Sequence, residues 1–223
     1  MPTISIVVPT LNEAARLPAT LAALAPAVDE IVVADGGSDD GTAAVAARAG
    51  AKVVAARRGR GSQLRAGAEA AAGDWLLFLH ADTILEPGWQ SAAAAFMADP
   101  ANAARAAYFV FALDDPSPAA RRVERVVAWR CRALGLPYGD QGLLVSRTHY
   151  RRLGGFRPLP LMEDVDMARR IGRRNLVPLE ARAVTSAERW RRDGWNARAA
   201  RNLFCLSLYF LGVPPRFLAR LYR

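Results

Sequence analysis

The chain of 223 residues is 52% hydrophobic and 23% charged, which excludes a disordered or low-complexity protein and predicts a folded unit with a sizeable core. Thirty Lys and Arg residues against 21 Asp and Glu give a net charge of +9, and Lys52 is the sole lysine. Such a balance suits a phosphate-rich substrate, a nucleic acid or an anionic membrane surface, and alone selects none of them.

Strands and helices are predicted to alternate through the first half. A β-branched run at residues 4–8 is broken by Pro9, Thr10, Leu11, Asn12 and Glu13, and Leu17, Leu21 and Leu24 then recur at helical spacing within 14–24. The unit repeats as strand 30–34 and helix 42–49, strand 52–55 and helix 62–72, and strand 75–79 and helix 87–97. Short apolar strands joined by helical crossovers predict an α/β fold with a mostly parallel sheet covered on both faces. Beyond a strand at 106–113 the rhythm changes to an arginine-studded helix at 118–134, a strand at 143–146 and a helix at 164–173. Two helices follow in 195–223, split by Pro214 and Pro215, which a continuous helix does not accommodate. The expected organisation is a catalytic domain over 1–194, with halves 1–113 and 114–194, and a basic amphipathic appendage over 195–223.

The chain enters its first strand at Ile4 without a charged leader, apolar stretch and cleavage site, so no signal peptide is expected. The longest apolar run, 203–213, is shorter than the roughly 20 residues a spanning helix needs. Cys131 and Cys205 make neither a disulfide framework nor a metal cluster. A reducing cytoplasmic setting is the expectation.

Open α/β sheets bind ligands outside the carboxyl ends of their strands, and there this sequence places acids. Asp35 ends one strand and leads into Gly36-Gly37-Ser38-Asp39-Asp40-Gly41-Thr42, a loop too acidic to cradle a phosphate alone. Asp35 is placed to accept from a base N–H or a ribose hydroxyl, while Asp39 or Asp40 caps the next helix. Gly59-Arg60-Gly61-Ser62-Gln63-Leu64 lacks the third glycine of a dinucleotide fingerprint. Arg57, Arg58 and Arg60 instead precede a helix N-terminus, an arrangement that could hold a diphosphate or form a solvated basic loop.

His80 and Asp82 share one side of an extended segment. The pair suits a divalent ion bridged to phosphates, although imidazole is a poor ligand for Mg²⁺; for Asp82 the metal role is favoured over capping the helix near Pro87. Glu163 and Asp164 follow a proline-fixed approach, where one carboxylate could act as general base or merely complement the helix dipole.

Four segments occur in order and spacing resembling family 2 glycosyltransferases with the GT-A fold: Val7-Val8-Pro9-Thr10-Leu11-Asn12-Glu13, residues 35–42, Gly73 through Asp82, and Met162-Glu163-Asp164. The sequence is most similar to a small bacterial branch carrying H-A-D-T, then G-D-Q-G (here Gly139-Asp140-Gln141-Gly142) and a late R-W pair (Arg189-Trp190). The resemblance implies a mostly parallel mixed sheet flanked by helices and a nucleotide-diphospho-sugar donor. It puts Asp35 and Gly36 at the base, with Pro9, Thr10, Asn12 and Glu13 lining the nucleoside. It puts Arg58, Arg60 and Arg65 near the diphosphate, and Ala81 and Asp82 beside Mg²⁺ or Mn²⁺.

Asp164, with Glu163, would be the base of a single inverting displacement by an acceptor hydroxyl. Asp140, Gln141, Arg189 and Trp190 would stand on the acceptor side. Two departures are His80, where the family has its first D-x-D acid, and Arg65, where related sequences often have Asn.

The acceptor is not fixed by these residues. Arg198, Arg201, Arg216 and Arg220 around 203–213 suit an anionic inner leaflet of the cell membrane and a lipid-linked acceptor. The alternative is packing against the sheet or against the second subunit of a homodimer. A nucleic-acid binder would use the positive charge, but strand-end acids would repel phosphates. A non-catalytic nucleotide-sugar sensor would need no Asp164. A sugar nucleotidyltransferase would show a Gly- and Arg/Lys-rich loop after the first strand, and residues 9–13 have none.

Overall fold

The computed structural model describes residues 2–24 and 28–222; Met1 and Arg223, which end the expected domain ranges, lie outside the described residues. The strands are β1 (Ile4–Thr10), β2 (Glu30–Asp35), β3 (Lys52–Ala55), β4 (Trp75–Phe78), β5 (Thr83–Leu85), β6 (Ala106–Leu113), β7 (Leu143–Ser146) and β8 (Leu176–Thr185). The helices are α1 (Leu17–Leu24), α2 (Thr42–Arg48), α3 (Arg60–Ala70), α4 (Trp89–Ala98), α5 (Pro118–Leu134) and α6 (Arg147–Arg152), followed by α7 (Glu163–Ile171), α8 (Glu188–Asp193), α9 (Trp195–Phe210) and α10 (Pro215–Leu221).

All eight strands form one sheet in the order β3-β2-β1-β4-β7-β6-β8-β5. Strands β3, β2, β1 and β4 run parallel, β7 is antiparallel to both β4 and β6, β6 and β8 are parallel, and β5 runs antiparallel to β8. The four parallel strands bring their carboxyl ends to one edge. Successive side chains of a strand face opposite ways, and the core divides accordingly. Val7, Val32, Leu76 and Phe78 pack with residues of α3, α5, α7 and α9 on one face. Ile6, Val8, Val33, Leu77 and Leu79 pack with residues of α1 and α4 on the other. Both faces are thus buried, which is why these strands read as continuous apolar runs.

The alternating first half forms as its apolar spacing predicts, with element ends displaced by a few residues. Four elements have no counterpart in the sequence expectation: β5, α6, β8 and α8. The C-terminal helices break at Pro214 and Pro215 as predicted, yet they do not stand apart from the body. Cys205, Leu206 and Leu218 are buried in the same core face as α3 and α7.

Candidate active site

The carboxyl ends of β2, β1 and β4 lie side by side, and each feeds a loop carrying expected site residues. At the end of β2, the buried Asp35 carboxylate is taken up by its own neighbourhood. Oδ1 accepts from Thr10 Oγ1 (3.1 Å) and Ser38 Oγ (2.5 Å), and Oδ2 from the Gly37 and Ser38 N–H groups (3.1 and 2.9 Å). Burial would raise the Asp35 carboxyl, but the Ser38, Thr10 and Gly37 hydrogen bonds outweigh it and hold it below the usual range.

Asn12, in the left-handed region at φ 56°, ties the first loop to the second. Its N–H donates to Ser38 Oγ (2.9 Å) and its Oδ1 accepts from the Asp39 N–H (3.1 Å). The N-cap position of α2 is Gly41, which has no side chain to cap with, and Asp40, one residue before it, accepts from the Thr42 N–H at 3.0 Å. Beneath these loops Gln63, buried on α3, donates Nε2 to the carbonyls of Thr10 (2.5 Å) and Ala34 (3.2 Å). A Cβ on Gly36 would stand 2.9 Å from that nitrogen, so the position cannot carry a side chain without moving the tie.

On the other side of β4 a cleft of about 110 Å³ is lined by Arg60, His80, Asp82, Asp140, Glu163, Asp164 and Arg189, among others. Acids 82 and 164, far apart in sequence, therefore share one chamber, whereas Asp35 lies two strands away at the same sheet edge. Asp82 is pinned from both sides: the Ala81 carbonyl accepts from Thr20 Oγ1 (2.7 Å), and the Thr83 hydroxyl meets that of Thr185 at 2.6 Å.

Met162, at φ 66°, turns the chain so that Glu163 and Asp164 enter the first turn of α7, where carboxylates favour the helix dipole. Asp164 Oδ2 accepts from the Gly139 N–H (2.9 Å) and Oδ1 from the Val165 N–H (2.7 Å).

Glu163 is 1% exposed, lies 3.6 Å from the Arg60 guanidinium, and has no hydrogen-bond partner for either oxygen among the described residues. Burial, supplemented by the Asp164 charge and opposed by Arg60, pushes its carboxyl up to about 7. Asp140 is raised to about 6, chiefly by burial, with Arg130 opposing and Asp164 and Asp82 adding repulsion. His80 is held well below its ordinary value by burial and by the Arg60 and Arg189 charges, so it is neutral at pH 7. Its Nε2 is enclosed, 2.5 Å from where a Gly139 Cβ would stand, and does not present itself as an open ligand.

Four acids gathered in one chamber repel each other unless a cation or shared protons intervene. Among the described residues no group of three or more His, Cys, Asp or Glu side chains forms a metal cage. The chamber does fit a divalent ion resting on Asp82, with the rest of its shell from substrate phosphates and water. The orphaned, buried Asp140 Oδ1 beside it adds a further oxygen that lacks a donor.

Several expected site residues stand elsewhere. Arg58 is exposed outside the cleft, and Arg65 is exposed and paired with Glu69 at 3.0 Å. Gln141, expected on the acceptor side, is 2% exposed and its amide is turned inward. Its Oε1 accepts from Arg130 (3.2 Å) and the Tyr138 N–H (3.2 Å), and its Nε2 donates to the Phe109 carbonyl (3.1 Å). Pro9 and Thr10 are buried at the end of β1, and Glu13 pairs with Arg16 at 3.3 Å. Burial, then the Asp82 charge, raises the Glu13 carboxyl.

Trp190 stacks on Trp195 with ring centroids 5.8 Å apart and interplanar angle 22°. Arg198, Asn202 and Tyr222 reach the cleft from the C-terminal helices, a contribution the sequence reading missed. Gln63 was also missed, although a glutamine beside Leu64, Gly67 and Ala68 on an inward helix face signals a buried tie.

The architecture matches solved structures of glucosyl-3-phosphoglycerate synthase from Mycobacterium tuberculosis. Its complex with Mn²⁺, UDP and glucosyl-3-phosphoglycerate aligns with a TM-score of 0.59 and 22% identity, over 83% of this chain and 70% of that one. Its complex with Mn²⁺, UDP-glucose and phosphoglyceric acid aligns with a TM-score of 0.58 and 24% identity, over 79% and 69%. The fold is therefore that of GT-A glycosyltransferases. The model for glycosyl transferase family 2 matches residues 5–148, and the chain belongs to that family.

An uncharacterized glycosyltransferase of M. tuberculosis is 44% identical over 86 residues, 38% of this chain and 39% of that protein. The glucosyl-3-phosphoglycerate synthase itself is 36% identical over 95 residues, 37% of this chain and 29% of that protein. The matched stretches thus span well under half the length of these curated relatives.

Proposed function

We propose that the protein transfers a sugar from a nucleotide-diphosphate donor to an acceptor hydroxyl, with inversion at the anomeric carbon. The observation that carries this is the convergence of Asp82 and Asp164 on one cleft beside the strand-end loops. The related synthase has been crystallised with UDP or UDP-glucose and with Mn²⁺ or Mg²⁺, which favours a UDP-sugar and a divalent cation here too.

The loops of β1 and β2 shape the nucleoside pocket. Asp35 acts there by organising Ser38 and Gly37, its carboxylate being engaged by four donors. Asp82 would hold the Mg²⁺ or Mn²⁺, which when bound offsets the charge growing on the departing diphosphate. Arg60 and Arg189 add positive charge to the same chamber, and the buried Glu163 carboxyl stands 3.6 Å from the Arg60 guanidinium.

Asp164, oriented by two N–H groups, removes the proton of the attacking hydroxyl. Direct attack on the anomeric carbon from the face opposite the diphosphate breaks one bond as another forms. Inversion follows, and the proton ends on Asp164.

A thermal-shift panel of nucleotide sugars, with and without Mn²⁺, tests the donor half. Binding to the folded state alone stabilises by about 2.7 kcal/mol at a hundredfold excess over Kd. The expected result is a Mn²⁺-dependent shift with UDP-sugars that is lost in Asp82→Asn. No shift with any nucleotide sugar would overturn the proposal. Release of sugar 1-phosphate and nucleoside triphosphate on adding pyrophosphate would instead identify a nucleotidyltransferase.

A further inference from the structure

A second concavity opens beside the cleft. Between α5 and α9 runs a groove of about 200 Å³ whose walls are mainly apolar, with Val123, Val126, Val127, Leu203 and Leu206 contributing. Its inner end is formed by Tyr138, Asp140, Trp190 and Asn202, four residues that also line the chamber of Asp164. The two concavities share these four lining residues, and from one to the other the lining passes from acidic and polar to mainly hydrocarbon.

The outer rim stays apolar in the open. Val126 and Trp129 of α5 are each 60% exposed, and Leu203 of α9 is 64% exposed. From Leu203 the apolar surface continues along the same helix side to Phe204, Phe210 and Leu211, exposed by 56%, 50% and 80%. Several large apolar side chains exposed on the two helices that wall one groove favour a binding surface there.

We propose that the groove between α5 and α9 seats the hydrocarbon part of the acceptor, so that the acceptor is an amphiphile presenting its nucleophilic oxygen to Asp164. The inference rests on the glycosyltransferase reading and adds the substrate class. The occupant is decided by where the groove leads. A compound lying in it has its inner end at Asp140 and Trp190, where an acceptor oxygen has to arrive, and its outer end among Val126, Leu203 and the exposed side of α9. Arg122, Arg130 and Asn196 offer a polar group only here and there along the groove, whereas Val123, Val126, Val127, Leu203 and Leu206 give its walls hydrocarbon that a fully polar acceptor would leave uncovered. A partner protein would have no need for continuity with the reaction chamber.

The probes are n-alkyl β-D-glucosides from butyl to decyl, each below its micelle-forming concentration. Their binding is read by quenching of tryptophan fluorescence in the presence of Mn²⁺ and UDP. Each methylene buried in an apolar site should tighten binding by up to about fourfold, so affinity is expected to climb steeply with chain length. Leu203→Asp and Val126→Asp, both at exposed positions, should flatten that climb. Equal affinity along the series, or an undiminished climb in both variants, would overturn the inference.

A wild-type dimer that Leu203→Asp dissociates, together with a flat series, would show that a second copy covers the groove and would equally overturn it. The donor reading is checked separately on the wild-type protein. A Mn²⁺-dependent thermal shift with UDP-sugars and a flat alkyl series would sink the acceptor inference alone. Absence of any donor shift would sink the glycosyltransferase reading.

Discussion

The Asp164 carboxylate accepts a hydrogen bond from the Gly139 N–H at 2.9 Å, so an acid in the first turn of α7 is oriented by a turn 25 residues earlier in the sequence. Replacing Asp164 by Asn keeps the shape and one acceptor oxygen, so the basic site is removed and either the Gly139 or the Val165 N–H loses its side-chain acceptor. Turnover should fall by about a hundredfold to ten-thousandfold, while donor affinity measured by calorimetry stays within about threefold. Parallel loss of donor binding would reveal a structural role instead.

Gly139 should be intolerant of a side chain for a specific reason. An Ala Cβ there would lie 2.5 Å from His80 Nε2 and 3.1 Å from Cε1, so the turn or the imidazole must give way. Gly139→Ala is expected to cost roughly 1–3 kcal/mol of stability and to lower turnover by moving the N–H off Asp164. Adding His80→Ala should recover part of both losses, a coupling of about 0.5–3 kcal/mol in a double-mutant cycle. Strictly additive effects would mean that the two residues do not meet.

The buried Glu163 carboxyl makes stability depend on pH in an unusual direction. Its folded value is raised to about 7 from an ordinary 4.5, so the folded state holds the proton more tightly than the unfolded chain. This contribution to stability is fully present below the ordinary value and is lost as pH rises through 7. The fall amounts to roughly 3 kcal/mol for a shift of this size. Glu163→Gln, permanently uncharged, should remove the decline, so that its melting temperature exceeds that of the wild type increasingly from pH 5 to pH 7. A constant difference across that range would show Glu163 to be ionised throughout.

What could be read in the chain divides along physical lines. Residues 4–8, 30–34 and 75–79 announced themselves because strands buried on both faces are unbroken apolar runs, and the acids at their ends followed from that placement. Strand β8 did not, since Pro178, Glu180 and Arg182 interrupt it. The proline is tolerated because β5 covers only Ala183–Thr185 of β8, leaving that edge free at Pro178, and the ladder to β6 shifts between Phe109 and Val110.

Arg60 and Arg65 were both expected near the diphosphate, Arg65 as a departure from the Asn of related sequences. They sit five residues apart on α3, about 140° round the helix, and only the first turns to the cleft. The resemblance that put Gln141 on the acceptor side carries no information about its burial. Only the tertiary fold reveals the Phe109 carbonyl and the Tyr138 N–H that its amide satisfies.

The Thr83 and Thr185 hydroxyls meet across 102 positions of sequence, and they decide how the molecule can be cut. Strand β5 has β8 as its sheet neighbour, so the stretch that carries Asp82 forward finds its support in a segment made nearly half a chain later. A fragment ending near residue 113, or at the family match boundary of 148, would retain the nucleoside loops while leaving that edge without its ladder. The loop that carries Asp82 thus leans on a strand supplied by the second half of the sequence, and the chamber draws its walls from both halves.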